Sequence, residues 1–482
     1  MRATQHYPCF IDNEWIDSSS GKVFNVENPA TEEVWATVPD CTKEDADAAI
    51  ESARLAQISW QQLPAIARAR WLFKLCDALE TKREHFSKLL VIEQGKTLAE
   101  AYGEFDDTLN YMRYAAEAAR RIEGNIYPSE NPNEQLWIQK VPYGVTLGLC
   151  AYNYPLALIG RKIGPALVTG NTMVLKAHEA TPVTASEFCK VVKEVGFPKG
   201  VINLVSGTGI EVSSALVTNP HTRLVSLTGS TRAGQAIFKS SGDNVSGLVL
   251  ELGGKASFIV LNDADLDKAV EAAVISRYAN SGQVCICNEL VLVEDGIADE
   301  FTARVIERVK QISYGDPMSD VNMGPSVTRD SIARIHAMLE QSVKMGAKVE
   351  IGGGKPEGQT FAKGHWYKPT VVSGVTSDMP LAKNEIFGPI MPIIKVKNYQ
   401  EALAICNDRE DALSSYIFTK DIKTAFHAIN HMQVGTVFVN KMICGYIQGY
   451  HSGHKRSGTG GEDGIYGIEN YLQKRAVYFN YD

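Results

Sequence analysis

The 482-residue sequence contains no long uninterrupted hydrophobic run. Its longest apolar stretch, Gly144 to Gly160, is broken by Asn153 and Pro155, and falls short of the roughly 20 residues that a membrane-spanning helix needs. The opening residues, Met1 to His6, lack the apolar segment of a secretory signal, so the chain is read as cytoplasmic with no membrane partner. Clustered positive charge is also missing. The net charge is −8, with Lys and Arg scattered among Asp and Glu, which argues against a nucleic-acid partner. Cysteine is sparse and irregular. Nine thiols at positions 9, 41, 76, 150, 189, 285, 287, 406 and 444 make an odd count in a long chain, which argues against a disulfide framework. Cys285-Ile286-Cys287 has too few neighbouring ligands for zinc, and no metal site is expected. There is no internal repeat or low-complexity tract.

What is present reads as an ordinary globular chain, 44% hydrophobic and 22% charged, long enough for two or three domains. From Val145 to Leu252 short apolar runs alternate with helical patterns. The runs are Val145–Cys150, Thr172–Lys176, Val201–Val205, Arg223–Leu227 and Leu248–Leu252. They predict five buried parallel strands in a doubly wound α/β sheet, with ligands at its carboxyl edge. Thr181-Pro182 reads as a cap and first turn, Phe188, Val191, Val192 and Val195 recur at helical spacing, and Gly196 closes that helix. A second α/β region begins with the strand Ser257–Leu261 and a helix opening at Asp263–Asp267, and runs to about Asn440. Pro128–Glu134 is a polar connector into the extended Gln135–Val141, and Lys474–Asn480 is a further strand. Two such strands outside both sheets are expected to pair with each other or with another subunit.

Five segments carry candidate chemistry. Ser281-Gly282-Gln283-Val284-Cys285 places a thiol behind a glycine that lets backbone approach a substrate, although taken alone a buried structural cysteine is the simpler reading. Glu251-Leu252-Gly253-Gly254-Lys255 puts a carboxylate at a strand end, where desolvation would suit it to general-base work; a solvated strand end explains it equally. Leu227-Thr228-Gly229-Ser230 turns into a helix N-terminus that attracts phosphate, but departs from G-x-G-x-x-G. Lys176-Ala177-His178-Glu179 sets a carboxylate where ribose hydroxyls would sit and where a 2′-phosphate would be repelled. Asn153, just after the first strand, offers an amide to an oxyanion, or simply serves the turn.

Together, and in this order, these motifs closely resemble the aldehyde dehydrogenase superfamily over nearly the whole chain. The matching segments are Tyr152-Asn153-Tyr154-Pro155, Leu175-Lys176, Leu227–Ser230, Glu251–Lys255, Gly282-Gln283-Val284-Cys285 and Glu385-Ile386-Phe387-Gly388-Pro389. The resemblance implies a Rossmann-like cofactor domain (1–120 and 143–253), an α/β catalytic domain (254–455) and a strand-rich oligomerisation arm (121–142 and 456–482) serving a homodimer or homotetramer. It implies Cys285 as nucleophile, Glu251 as the base that activates the hydrolytic water, and Asn153 with the Cys285 backbone N–H as oxyanion hole. For the cofactor it implies Lys176 and Glu179 at the adenosine ribose and Gly229 and Ser230 at the pyrophosphate. Glu385 is implied at the nicotinamide ribose with Phe387 beside it, and Tyr152, Gly209 and Leu252 complete the contacts. NAD is favoured over NADP, for which His178 beside Glu179 leaves some room. Because Glu251 is present, hydrolysis is favoured over transfer to coenzyme A.

Within the superfamily the chain is most similar to the bacterial lactaldehyde/glycolaldehyde dehydrogenase branch, including Gly160-Arg161-Lys162 and Gln448-Gly449-Tyr450-His451. Arg161 and His451 are candidate donors to the substrate, or structural ion-pair and loop residues. Four departures stand out: Ile286 where that branch carries Asn, Gly445 in a loop usually acidic, Ala151-Tyr152 for Pro-Trp, and Leu290 for Arg. With Ile286 lining the pocket, they point to a bulkier, sugar-derived hydroxyaldehyde. A semialdehyde held through Arg161 and a non-catalytic binding protein are the alternatives.

Overall fold

The computed structural model describes residues 4–482. Met1, Arg2 and Ala3, which open the N-terminal stretch read above, lie outside them. The first sheet is built on β1 (Val145–Leu149), β2 (Thr172–Lys176), β3 (Ile202–Val205), β4 (Thr222–Thr228) and β5 (Gly247–Glu251), parallel and in the order β5-β4-β1-β2-β3. These are the five apolar runs of the sequence, with ends shifted by a residue or so. Successive strands leave β1 first to one side and then, from β4, to the other, so a crevice opens at the carboxyl ends of β1 and β4. Three antiparallel additions were not legible as apolar runs. Cys9–Ile11 and then Glu14–Ile16 extend the sheet beyond β3, and Gly458–Thr459 pairs with β5, opposite Glu251.

Helices α1 (Arg83–Gln94) and α2 (Leu98–Glu117) pack against α3 (Pro155–Thr169), which lies on this sheet with α4 (Val183–Val195), α5 (Ile210–Thr218) and α6 (Thr231–Ser240). Proline opens α3 at its first turn, where its missing N–H costs nothing. Every residue of α3 except Arg161 is buried, so the helix runs through the core and shows one side chain to a cleft. The expected cap on α4 is corrected. Thr181 does not cap it; the carboxylate of Glu93, from the end of α1, accepts the N–H groups of Val183 and Thr184 (2.9 Å for Thr184). A carboxyl group, with two acceptor oxygens, satisfies more of a helix's orphan N-terminal donors than a single hydroxyl can. Gly196 closes α4 in the left-handed conformation, as read.

The turn Leu252–Lys255 carries the chain from β5 directly into β6 (Ala256–Val260), an interior strand of a second sheet. With β7 (Asn288–Glu294), β8 (Lys348–Ile351), β9 (Thr370–Ser373), β10 (Ile390–Val396), β11 (Ser414–Phe418) and β12 (Thr436–Val439), its order is β8-β9-β10-β7-β6-β11-β12. Helix α7 (Leu266–Tyr278), capped by Asp265, joins β6 to β7. A third sheet stands apart. Glu134–Pro142 pairs antiparallel with Leu472–Asn480 along its whole length and with Asn125–Tyr127 on its other side. No helix among the described residues is long and apolar enough to cross a membrane.

Candidate active site

After α7 the chain turns through Asn280, Ser281 and Gly282, all with left-handed φ (47°, 57° and 75°), and then reaches Cys285. The glycine serves a different close approach from the one expected. A Cβ at Gly282 would run into the carbonyl of Gly388 and the Arg277 guanidinium, so it is backbone against backbone, not substrate, that demands glycine there. Cys285 is partly exposed. Burial pushes its thiol up to about 12; Arg161 pulls it down, while the charges of Glu251 and Glu385 push it up. Cys287, two residues on, is fully buried, with its sulfur on the Gly282 carbonyl (3.6 Å) and Glu289 (3.7 Å).

Glu251 ends β5 with its carboxylate buried, and neither oxygen has a hydrogen-bond partner among the described residues. Burial raises its pKa well above the carboxylate range; Glu462 adds to this, and Arg161 and Lys162 oppose it. The turn that follows packs Gly254 against the Cys285 carbonyl, which an added Cβ would meet at 3.0 Å. The same turn holds Glu385, whose Oε1 accepts from the Gly254 N–H (3.0 Å). One crossover between sheets therefore brings Glu251, Cys285 and Glu385 to a common cleft.

On the other side of Glu251 lies a charge-balanced cluster. Lys162, fully buried, donates to Ser226, Thr228 (2.9 Å) and Glu462 (2.6 Å). Arg161 grips Asp463 through Nε (2.9 Å) and Nη2, sits 3.5 Å from Glu462, and stacks over Tyr111. Its Nη1 makes no hydrogen bond among the described residues. Burial would push Glu462 up, but Lys162 and Arg161 outweigh it and hold it at about 2. His451 is tied by backbone bonds to Glu462 and brings its Nε2 to 3.5 Å from Glu251; burial lowers it to about 3, so the imidazole is neutral. Ile286 is partly exposed beside Cys285, its carbonyl accepting from Tyr416 (2.6 Å). Gly445 borders open space.

Asn153 is buried at the turn from β1 into α3, and its amide nitrogen donates to the Gln283 carbonyl (3.0 Å), two residues before Cys285. An amide NH2 has two hydrogens, and the second is left for another acceptor.

The remaining candidates lie at the carboxyl edge of the first sheet. Tyr152 follows β1, its ring edge-on to His178 (5.0 Å) and to Phe387 of the second sheet's side (5.9 Å). Lys176 ends β2; burial lowers its pKa, and its ammonium makes only a 3.4 Å bond to the neighbouring carbonyl. Glu179 is exposed nearby. Gly209 starts α5, and Ser230 caps α6, accepting from Ala233. Gly229 bonds through its N–H to the Glu251 carbonyl, and Leu252 packs on Gly234 of α6. Two helix N-termini, a barely engaged buried ammonium and a free Glu385 oxygen fit the phosphates and hydroxyls of a dinucleotide.

Glu289 escaped the sequence reading. It sits in β7, buried, paired with Lys255 (3.1 Å) and Arg277 (2.9 Å), and accepts the N–H groups of Ile386 and Phe387. It thereby fixes Phe387 in left-handed φ (48°) and aims Glu385 at the cleft. Its signal was a carboxylate directly before the apolar run Leu290–Val293, much as Glu251 stands directly after one.

The aldehyde dehydrogenase family model matches residues 15–477. The chain is 42% identical over 479 residues to 3,6-anhydro-alpha-L-galactose dehydrogenase of Vibrio sp. (strain EJY3), covering 99% of this chain and 100% of the relative. It is 40% identical over 480 residues to lactaldehyde dehydrogenase of Escherichia coli (strain K12), covering 99% of each. A solved structure of 3,6-anhydro-L-galactose dehydrogenase in complex with NAP superposes with a TM-score of 0.97, covering 99% of this chain and 100% of that one. The chain belongs to the aldehyde dehydrogenase family, oxidoreductases that act on aldehydes with NAD(P).

Proposed function

We propose that this protein oxidises a hydroxylated or sugar-derived aldehyde to its carboxylic acid, with NAD as preferred acceptor, through a thioester on Cys285. The observation that carries this reading is the packing of the Glu251–Lys255 turn on the Cys285 backbone, with neither Glu251 oxygen hydrogen-bonded among the described residues. Cys285 Sγ, after giving up its proton to solvent, attacks the carbonyl carbon as the thiolate and gives a thiohemiacetal whose oxygen carries the negative charge. The second Asn153 amide hydrogen and the Cys285 N–H receive the oxyanion. When bound, a nicotinamide would accept hydride from this adduct and so leave the thioester on Cys285; Glu385 and Phe387 are the residues that would hold it. Glu251, which binds protons more tightly than an exposed carboxylate, then takes one from water, and the resulting hydroxide releases the acid.

Two features support the substrate class. The positive charges of Arg161 and Lys162 are already matched by Glu462 and Asp463, which leaves no net charge for a substrate carboxylate. The donors that remain, the neutral His451 imidazole and Nη1 of the charge-compensated Arg161, suit hydroxyl groups, and the relatives include an anhydrosugar and a lactaldehyde dehydrogenase. The test is a panel of kcat/KM values for lactaldehyde, succinic semialdehyde and larger sugar aldehydes, with NAD and with NADP. Sugar-derived hydroxyaldehydes with NAD are expected to lead. A preference for lactaldehyde, or tighter NADP binding, would refute the finer assignment. A second reading, NADP use, is favoured by the nearly free Lys176 ammonium and the NAP complex. A semialdehyde specificity predicts instead that Arg161→Leu raises KM for acidic aldehydes alone.

The three-part division into cofactor, catalytic and arm segments belongs to the same proposal. The arm sheet exposes Ile126 (80%) and Tyr478 (71%), large apolar side chains suited to contact between copies. A dimer or tetramer is expected by light scattering, and a monomeric mass would contradict it.

A further inference from the structure

The backbone carbonyl of Asn153 is held by two buried side chains from elsewhere in the chain. Lys96, between α1 and α2, donates through Nζ (3.0 Å), and Asn280 donates through Nδ2 (3.0 Å). Together they occupy both acceptor positions of that oxygen. Lys96 is fixed in turn. Its ammonium pairs with the fully buried carboxylate of Glu104 and lies over the Tyr154 ring, and Glu104 accepts the N–H groups of Leu156 (2.8 Å) and Ala157 at the start of α3. Asn280 is gripped from the same segment. Gln94 donates to its side-chain oxygen (2.9 Å), and Glu100 accepts its backbone N–H (2.6 Å).

The stretch Gln94–Glu104 therefore clamps two turns at once: the one that presents the Asn153 amide, and the left-handed one that leads to Cys285. Non-glycine residues hold left-handed φ only where their surroundings over-determine it, and here the surroundings are this polar clamp. Lys96 reaches Asn153 through that residue's backbone carbonyl, not its amide, and Glu104 bonds to Lys96 and to the start of α3. A buried ion pair of this kind is a poor source of net stability, whereas it is an effective way to fix the orientation of what it bonds.

We propose that Lys96, with Glu104 behind it, is a positioning residue for the oxyanion hole, orienting the Asn153 amide relative to Cys285 through the Asn153 carbonyl. The inference rests on the reading of Asn153 as oxyanion donor.

The test is a mutant cycle on the full-length protein. Lys96→Met/Glu104→Gln removes both charges together, so that neither is stranded. It is compared with Asn153→Ala and with the combined variant, by single-turnover NADH formation from lactaldehyde and NAD. The Lys96→Met/Glu104→Gln variant is expected to slow acylation by about 10- to 100-fold. Its Kd for NAD and KM for lactaldehyde should shift by no more than about two-fold, because the clamp does not touch the cofactor edge. In the Asn153→Ala background the same change should cause no further slowing, since no amide is left to orient. Losses that multiply in the combined variant would show a merely structural role and overturn the proposal. If Asn153→Ala itself leaves acylation unchanged, the oxyanion reading falls and the proposal falls with it, an outcome distinct from the first. Should the charge-pair variant fail to fold, Asn280→Gly removes the other donor to the same carbonyl while tolerating its left-handed φ. The same coupling to Asn153→Ala is expected, and additivity there is equally fatal.

Discussion

Replacing Cys285 with alanine is expected to lower kcat by about 10⁴-fold or more for every aldehyde, with Kd for NAD unchanged within about two-fold. The size follows from the loss of the covalent route itself, since no thiohemiacetal forms without Sγ. No neighbour can stand in. Cys287 is sealed beneath the loop, its sulfur turned to Gly282 and Glu289, and burial pushes its thiol further out of reach of ionisation than that of Cys285. Cys444 is the other partly open thiol, and Cys444→Ala serves as the control that should retain activity. Alkylation by iodoacetamide should abolish wild-type turnover, with saturating aldehyde and NAD protecting. Substantial activity in the Cys285→Ala protein would sink the thioester mechanism entirely.

Glu251→Gln is expected to lower steady-state kcat by about 10²- to 10³-fold, while a burst of about one NADH per active site persists. Acylation precedes the step that needs the base, so the block falls after hydride transfer. The pH dependence has a definite sign. Burial first, and then the negative charge of Glu462, raise the Glu251 pKa; Arg161 and Lys162 oppose this, Asp463 reinforces it, and His451 is neutral throughout the working range. The active form is the deprotonated one. Thioester hydrolysis should therefore be weak at pH 5 and rise with pH through a midpoint above the ordinary carboxylate range. Glu251→Gln should flatten that limb of the deacylation profile. Cys285 also gains thiolate as pH rises, but it governs the burst rate, so the two limbs separate in rapid-quench measurements. A variant without a burst, or with the wild-type deacylation profile, would show that Glu251 acts elsewhere.

Much of this site could be read from contiguous residues because the relevant physics is local. An apolar run of five residues declares a buried strand wherever it is placed, and a glutamate at the end of such a run is conspicuous for the cost of burying it. That is how β1 to β5 and the candidate base Glu251 are read, whereas Cys285 stands out as a thiol behind the glycine-bearing turn at Gly282. The same signal was present at Glu289 and was passed over, because an acid inside a strand acquires meaning only when its partners are known. Those partners, Lys255 and Arg277, lie on different elements. Gly282 was legible as a required glycine, but the reason was not, since the obstructing Gly388 carbonyl is more than a hundred residues away.

The chain's order of residues determined which segments are strands and helices, where they turn, and which side chains are candidates for the thioester chemistry proposed above. Tertiary structure alone decided who holds whom: Arg161 with Asp463, Lys162 with Glu462, Lys96 with Glu104 and Asn153, and Glu93 in place of Thr181 on α4. Secondary structure follows from interactions over a few residues, which leave a periodic trace. A buried charge instead takes whichever opposite charge the packed core brings within reach, and at separations of about 300 residues that choice leaves no mark in the local pattern.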